Sequence, residues 1–121
     1  MNNEGRKVNV LLDKSKLFAI RIIKLYRFLR NEKKEDIIGK QLFRSGTSIG
    51  ANIAESHYAA SKPDFVNKLH IALKEASETE YWLTLLFESE ILSEQESASI
   101  ILECRELIKL LTASIKTAKA Q

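Results

Sequence analysis

The stretch that decides the fold is RSGTSIGANIAE, residues 44–55, where two glycines and three hydroxyl residues follow an arginine. A phosphate-binding loop needs a glycine-rich turn ending in GK[ST], or GxGxxG after a strand, and neither pattern is present. Gly46 and Gly50 are instead one helical turn apart. Each glycine costs about 1 kcal/mol relative to alanine inside a helix, which favours a compensating close approach of a second helix. We interpret the stretch as a helix-packing surface.

The polar residues of the same stretch have two interpretations. Arg44, Asn52 and Glu55 lie on a more polar face of the predicted helix. Buried or half-buried polar groups need hydrogen-bond partners. These side chains can therefore bond to a neighbouring helix or meet a ligand, and the sequence leaves both interpretations open.

Outside this stretch, apolar residues recur at helical spacing and predict further helices. The 121 residues contain one proline and four glycines, a composition that favours helices over strands and turns. Short polar breaks such as NEKKED separate the periodic segments. Four helices with short connections predict an all-α, antiparallel up-down four-helix bundle in one domain. The predicted helices span about 10–30, 35–60, 62–90 and 94–118.

Two of the predicted helices have clear start signals. Ser61 precedes Asp64 by three residues, and Ser93 precedes Glu96 by three residues, as in capping boxes. Pro63 is tolerated in the first turn of a helix. These signals predict helix starts near residues 62 and 94.

Membrane and secreted classes do not fit the sequence. No apolar run approaches the roughly 18 residues needed to span a bilayer, and the start, MNNEGRKVNV, lacks the apolar region of a secretory signal. We expect a soluble cytoplasmic protein that does not contact a membrane. Cys104 falls on an apolar helical stripe and is expected to be a plain core residue.

Enzymatic sites are equally hard to assemble from the sequence. A di-iron bundle uses paired Glu-x-x-His motifs, but Ala54 precedes His57 by three residues and Asn67 precedes His70 by three residues. One cysteine and two histidines offer neither a metal cluster nor a nucleophile with an obvious base. We expect no enzyme, no metal and no other cofactor.

The charges divide the chain into two halves. Residues 1–62 contain 13 Lys and Arg against 6 Asp and Glu, a net charge of +7, whereas residues 63–121 contain 6 against 10, a net charge of −4. Basic residues of the first two predicted helices form a strip that can bind phosphates, attract an acidic protein or membrane surface, or only keep the surface hydrated. The residues expected to contact nucleic acid are Lys14, Arg21, Lys24, Arg27, Lys40 and Arg44.

Apolar residues lie among the same basic residues of the first helix. Leu17, Ile20, Ile23 and Phe28 fall outside the face that carries Phe18 and Ile22. A helix buried on one face alone would leave them near water, which indicates a second contact. Either the helix is covered on two sides within the bundle, or copies of the protein associate through these residues. We expect a homo-oligomer, in which the positive half of one subunit can meet the negative half of another.

The motifs also carry a family resemblance. FRSGTSIGANIAES, residues 43–56, followed by KPDFVNKLHIALKEASETEYWLTLL, residues 62–86, resembles the four-helix-bundle proteins encoded in intervening sequences of 23S ribosomal RNA genes. The chain is also similar to the accessory variability protein of diversity-generating retroelements. That resemblance implies a ring-shaped homopentamer whose basic surface binds RNA and a reverse transcriptase. The matching positions Arg44, Ser48, Asn52 and Glu55 are interpreted as framework residues of the family, not as a catalytic set.

These observations favour one function and leave one alternative open. The leading expectation is a non-catalytic, oligomeric accessory protein that binds RNA or DNA phosphates through a basic helix surface. The rival is a scaffold or adaptor that binds another protein and does not contact nucleic acid.

Overall fold

The computed structural model describes residues 3–121, with side chains from residue 9 onward, and contains four α-helices joined by short turns. The described part of the chain contains no strand. The prediction of an all-α four-helix bundle is therefore confirmed. The helices are α1 (Asn3–Asn31), α2 (Ile37–Ser56), α3 (Lys62–Glu88) and α4 (Glu94–Ala120).

Helix boundaries differ from the sequence prediction at several ends. Helix α1 begins at Asn3, ahead of the apolar periodicity that was the signal for its start. Helix α2 ends at Ser56 and not near residue 60, because the backbone N–H groups of the next three residues donate to carbonyl oxygens three residues back and form turns. At the start of α2, the Glu35 carboxylate accepts a hydrogen bond from the Ile38 backbone N–H at 2.8 Å, so Glu35 precedes the helix.

The predicted caps form, with one difference. Ser93 and Glu96 make a full capping box, in which the Ser93 N–H donates to Glu96 Oε1 at 2.8 Å and the Glu96 N–H donates to Ser93 Oγ at 3.1 Å. The hydrogen bond from the Ser93 backbone lowers the pKa of the Glu96 carboxyl below its ordinary value. In α3 the Asp64 N–H donates to Ser61 Oγ at 3.2 Å, but the Asp64 carboxylate accepts from the Ala60 N–H and not from Ser61.

The four helices follow one another around a square. Helix α1 packs against α2, α2 against α3 and α3 against α4, and α4 closes the square against α1. This order is that of an up-down bundle. Leu25 of α1, at helical spacing from Phe18 and Ile22, is only half-buried. The fully buried large side chains lie on the facing stripes of the helices, and they are Leu11, Phe18, Ile22, Leu29, Leu42, Ile49, Ile53, Leu69, Leu83, Leu86, Leu92 and Leu111.

Cys104 is part of this core. Its side chain is fully buried, and its thiol donates a hydrogen bond to the Ala76 carbonyl oxygen at 3.3 Å. Burial, followed by the negative charge of Glu80, raises the pKa of the Cys104 thiol to about 12. The thiol is therefore protonated and shielded, as expected for a packing residue and not for a nucleophile.

Close packing of α1 against α2 occurs at the glycines of α2. A Cβ atom on Gly46 would lie 2.8 Å from Ile22 Cγ1 and 2.9 Å from Ile22 Cγ2, closer than side-chain carbons pack. A Cβ on Gly50 would lie 3.3 Å from Ser15 Oγ and 3.5 Å from the Ser15 carbonyl oxygen. RSGTSIGANIAE is thus helical surface in contact with α1, and the described residues before it form no strand.

We predict that the two glycines respond differently to alanine. Gly46→Ala should lower the free energy of unfolding by about 1–2 kcal/mol, because Ile22 is buried and branched and cannot rotate both γ-carbons away. Gly50→Ala should be close to neutral, because a shift of a few tenths of an ångström at Ser15 is offset by the better helix propensity of alanine. Gly50→Leu should cost about 1–3 kcal/mol by overpacking. Urea unfolding followed by circular dichroism measures all three; equal stabilisation by both alanines would contradict close packing at Gly46.

Candidate nucleic-acid interface

The predicted phosphate-binding residues of α1 divide into two groups. Lys14 Nζ lies 2.7 Å from Glu106 Oε1, and Arg21 lies 2.8 Å from Glu103 Oε1. Arg21 also donates a hydrogen bond to Ser99 Oγ at 3.2 Å. Helix α4 thus already supplies carboxylates to these two cations. Lys24 and Arg27, by contrast, form no ion pair with the part of the chain whose side chains are described.

Arg44 joins α2 to α3. Its guanidinium lies 3.4 Å from Glu75 Oε2 and contacts Glu78 Oε2 more closely still. The same Glu78 oxygen accepts a hydrogen bond from Trp82 Nε1 at 3.0 Å. Of the other framework residues, Glu55 pairs with Lys68 of α3 at 3.4 Å. The first of the two interpretations, bonding to a neighbouring helix, therefore describes Arg44 and Glu55.

Two further framework residues bond within their own helix. Ser48 Oγ donates to the Arg44 carbonyl oxygen at 2.6 Å, and Asn52 Nδ2 donates to the Ser48 carbonyl oxygen at 2.9 Å. Lys40, the last predicted phosphate contact, lies 3.4 Å from Asp36 in the adjoining turn, and its side chain is 68% exposed. Such a surface pair is weak, so Lys40 remains available to a ligand.

The side of α1 that faces away from the bundle combines cations with apolar residues. Successive residues advance by about 100° around a helix. The side opposite Phe18 and Ile22 therefore carries Lys16, Leu17, Ile20, Lys24 and Arg27. Lys16, Lys24 and Arg27 are exposed on this side. We call the set formed by Lys16, Leu17, Ile20, Lys24 and Arg27 the α1 outer surface.

The expected oligomer residues lie in two different environments. Leu17 is 66% exposed and Ile20 is 42% exposed, so both have apolar surface in water. Ile23 is half-buried. Phe28 is half-buried against the core and carries the Lys33 ammonium 5.5 Å above its ring. Contacts within one subunit therefore cover much of the Phe28 side chain. Among these four residues, the apolar surface left exposed to water is at Leu17 and Ile20.

Most of the positive and negative charge is concentrated in two segments that are shorter than the halves 1–62 and 63–121. Residues 14–44 contain ten Lys and Arg against three Asp and Glu, a net charge of +7, and run through the turn between α1 and α2. Residues 75–106 contain nine Asp and Glu against one Arg, a net charge of −8, and run through the turn between α3 and α4. We call residues 75–106 the acidic hairpin.

A second group of basic residues was missed in the sequence analysis. The N-terminal half of α3 and the C-terminal half of α4 lie together, and Lys62, His70 and Lys119 line one shallow groove between them. A charge count over shorter windows could have found this group, because residues 107–121 contain three Lys and no Asp or Glu. The net −4 of the C-terminal half conceals it.

The bundle has a small cleft between two of its helices. The cleft between α1 and α4 has a volume of about 160 Å³, and its charged lining residues include the paired Lys14 and Glu106. From residue 9 onward, no group of three or more His, Cys, Asp or Glu side chains is placed to hold a metal ion. None of the described helices is long and apolar enough to cross a bilayer.

Comparison with known proteins gives a family and a structural neighbour. The model of the 23S rRNA-intervening sequence protein family matches residues 7–113. A crystal structure at 1.70 Å resolution, of a protein of unknown function from the S23 ribosomal protein family of Bacteroides thetaiotaomicron VPI-5482, is 55% identical with a TM-score of 0.89. The similarity covers 91% of this chain and 98% of that chain. A search of curated proteins found no match. Since the family match spans most of its length, the chain belongs to the 23S rRNA-intervening sequence protein family.

Proposed function

We propose that the protein is a non-catalytic, oligomeric accessory protein that binds RNA or DNA phosphates through the α1 outer surface. The observation that carries this proposal is the set of exposed cations on α1, Lys16, Lys24 and Arg27, for which the described carboxylates provide no ion pair. Lys16 and Arg27 are about 16 Å apart along the helix axis, a distance that several phosphates of a nucleic-acid backbone can occupy.

Some of the cations expected to contact nucleic acid already have carboxylate partners, and others do not. Lys14, Arg21 and Arg44 have carboxylate partners within the bundle, so a phosphate would have to compete with those partners. Lys24 and Arg27 remain as predicted contacts, and Lys16 joins them. The names of the family and of the structural neighbour refer to ribosomal RNA and a ribosomal protein, which supports nucleic acid as the partner class.

A closed ring of subunits is the assembly that we propose. The acidic hairpin exposes Phe87 and Leu102 beside Glu88 and Glu94, so it offers both apolar surface and negative charge to the flank of α1 that carries Leu17 in a neighbouring copy. An interface between two different surfaces generates rings when the rotation closes. The resemblance to the retroelement accessory protein implies five subunits, with a reverse transcriptase as protein partner.

Nucleic acid and a neighbouring subunit would contact different flanks of α1. Leu17 lies on the flank towards α4, where it lines a cleft with Leu107. Arg27 is about 80° further around the helix, and Lys16 is about 100° from Leu17. A subunit contact centred on Leu17 can therefore leave Lys16 and Arg27 in solvent, with Lys24 and Ile20 between the two contacts.

The rival function is a protein scaffold without nucleic-acid contact. The apolar residues Leu17 and Ile20 among the cations favour it, because a surface used only for phosphates needs no exposed apolar side chains. Salt dependence separates the two functions, since counterion release dominates nucleic-acid binding.

We predict that Lys16→Gln with Arg27→Gln weakens binding to all RNA and single-stranded DNA sequences about equally. Each lost phosphate contact should reduce the slope of log K against log salt by about 0.7, so the double variant should lose about 1.4. Fluorescence anisotropy between about 50 and 200 mM salt measures the slope. Arg21 is a poor choice for this test, because its replacement would also leave Glu103 without its ion pair.

Lys40→Gln is the comparison variant, because Lys40 is a single exposed cation that is available to a ligand but lies outside the α1 outer surface. This variant should reduce the slope of log K against log salt by no more than about 0.7, the value of one phosphate contact. Absence of wild-type binding to mixed RNA and single-stranded DNA at low salt would refute the nucleic-acid function and leave the scaffold.

We predict that Leu17→Lys with Ile20→Lys lowers the number of subunits while the helix content is unchanged, because both side chains are exposed within one subunit. Light scattering measures the mass, and circular dichroism measures the helix content. Ile37→Lys is the control, since Ile37 is exposed at the start of α2. An unchanged mass for the double variant would remove these residues from the subunit interface.

A further inference from the structure

Further basic side chains extend the second basic group along the outer side of α3 and α4. Lys74 and His70 are exposed on α3, and Lys109, Lys116 and Lys119 are exposed on α4. We call these five residues the lysine patch. The groove shared by His70 and Lys119, together with a hydrogen bond from Lys62 Nζ to the Gln121 carbonyl oxygen, shows that these two helix segments run side by side.

No carboxylate of the described chain neutralises the lysine patch. None of its members forms an ion pair with side chains from residue 9 onward. The acidic residues nearest to Lys74 along α3 are Glu75 and Glu78, whose carboxylates instead contact Arg44 of α2. Another lysine of this half of α3, Lys68, pairs with Glu55 on the opposite side of the helix, towards α2. The patch is thus a region of uncompensated positive charge.

The spacing of the lysines suits a line of phosphates. At about 1.5 Å per residue, Lys109 and Lys116 are about 10.5 Å apart along α4, and Lys119 lies about 4.5 Å further on. The residues between them on the exposed side are small or polar, such as Thr112 and Ala113. The patch therefore lacks the apolar residues that the α1 outer surface exposes, and its chemistry fits a phosphate backbone better than a protein interface.

An aromatic side chain is exposed at the same end of the bundle. Tyr58 is 90% exposed in the turn between α2 and α3, four residues before Lys62. Tyr81, the other strongly exposed tyrosine, packs edge-on against Trp82 with ring centroids 5.0 Å apart. Tyr58 thus has nearly its whole ring available, and bases of single-stranded nucleic acid stack on exposed aromatic rings of this kind.

We propose that the lysine patch binds the phosphates of single-stranded nucleic acid and that Tyr58 stacks on a base at the end of the patch. This inference rests on the proposed nucleic-acid function and adds a second surface to it, on the helices that the sequence analysis had assigned to the acidic half. In an oligomer, a strand that contacts both surfaces gains affinity from their linkage.

The test combines a charge variant with an aromatic variant. Lys109→Gln with Lys116→Gln should reduce the slope of log K against log salt by about 1.4, in addition to any effect of Lys16→Gln with Arg27→Gln. Tyr58→Ser should weaken binding to single-stranded RNA roughly 5- to 100-fold without changing the slope, and should leave duplex binding nearly unchanged. Circular dichroism confirms that the exposed substitutions leave the fold intact.

The controls distinguish failure of this inference from failure of the proposed function. Tyr81→Ser is the matched aromatic control and should leave the affinity for single-stranded RNA unchanged. If the wild-type protein binds but the Lys109→Gln and Lys116→Gln variant has an unchanged slope, the lysine patch does not bind phosphates. The proposed function would then rest on α1 alone. Absence of wild-type binding would overturn both. Equal competition by an acidic polyglutamate peptide would show that the patch takes acidic protein and would overturn the assignment to nucleic acid.

Discussion

The close contact between α1 and α2 determines how the rest of the bundle is arranged. Three glycines of α2 face α1, since a Cβ on Gly39 would lie 3.2 Å from the Tyr26 ring, and Gly46 and Gly50 meet Ile22 and Ser15. Each position allows the two backbones to approach more closely than larger side chains permit. Because the contact repeats along the helices, it fixes the rotation of α1 about its own axis.

The rotation of α1 decides which cations face the bundle and which face solvent. Lys14 and Arg21 turn towards α4 and meet Glu106 and Glu103, whereas Lys16 turns outward. Surface ion pairs of this kind contribute about 0–1 kcal/mol each, so they do not hold the bundle together. Their larger consequence is to occupy some cations and leave others for a ligand.

Local sequence signals identified most of the fold, because the forces involved act between neighbours in the chain. Helical periodicity, the caps at Ser61 and Ser93 and the spacing of Gly46 and Gly50 are all visible within a few residues. Helix ends were less predictable. The turns place Lys34 and Glu90 in left-handed backbone with φ of 56° and 66°, where the sequence has no glycine to mark a turn.

The candidate site was harder to predict, because the partners of its cations are distant in the chain. Lys14 and Glu106 are 92 residues apart, and only the folded bundle brings them together. The sequence therefore indicated where positive charge lies but not which charges are neutralised. The lysine patch was missed for a related reason: the acidic hairpin separates its two segments in the chain and cancels them in a count over half the protein.

A double-mutant cycle between Gly46 and Ile22 tests the central claim most directly, that close backbone approach at this point sets the bundle. Ile22→Ala removes the γ-carbons that a Cβ on residue 46 would meet, and alone should cost about 2–5 kcal/mol. In that background Gly46→Ala should become neutral or stabilising, which gives a coupling free energy of about 1–2 kcal/mol by urea unfolding. Additive effects, within about 0.5 kcal/mol, would contradict the contact.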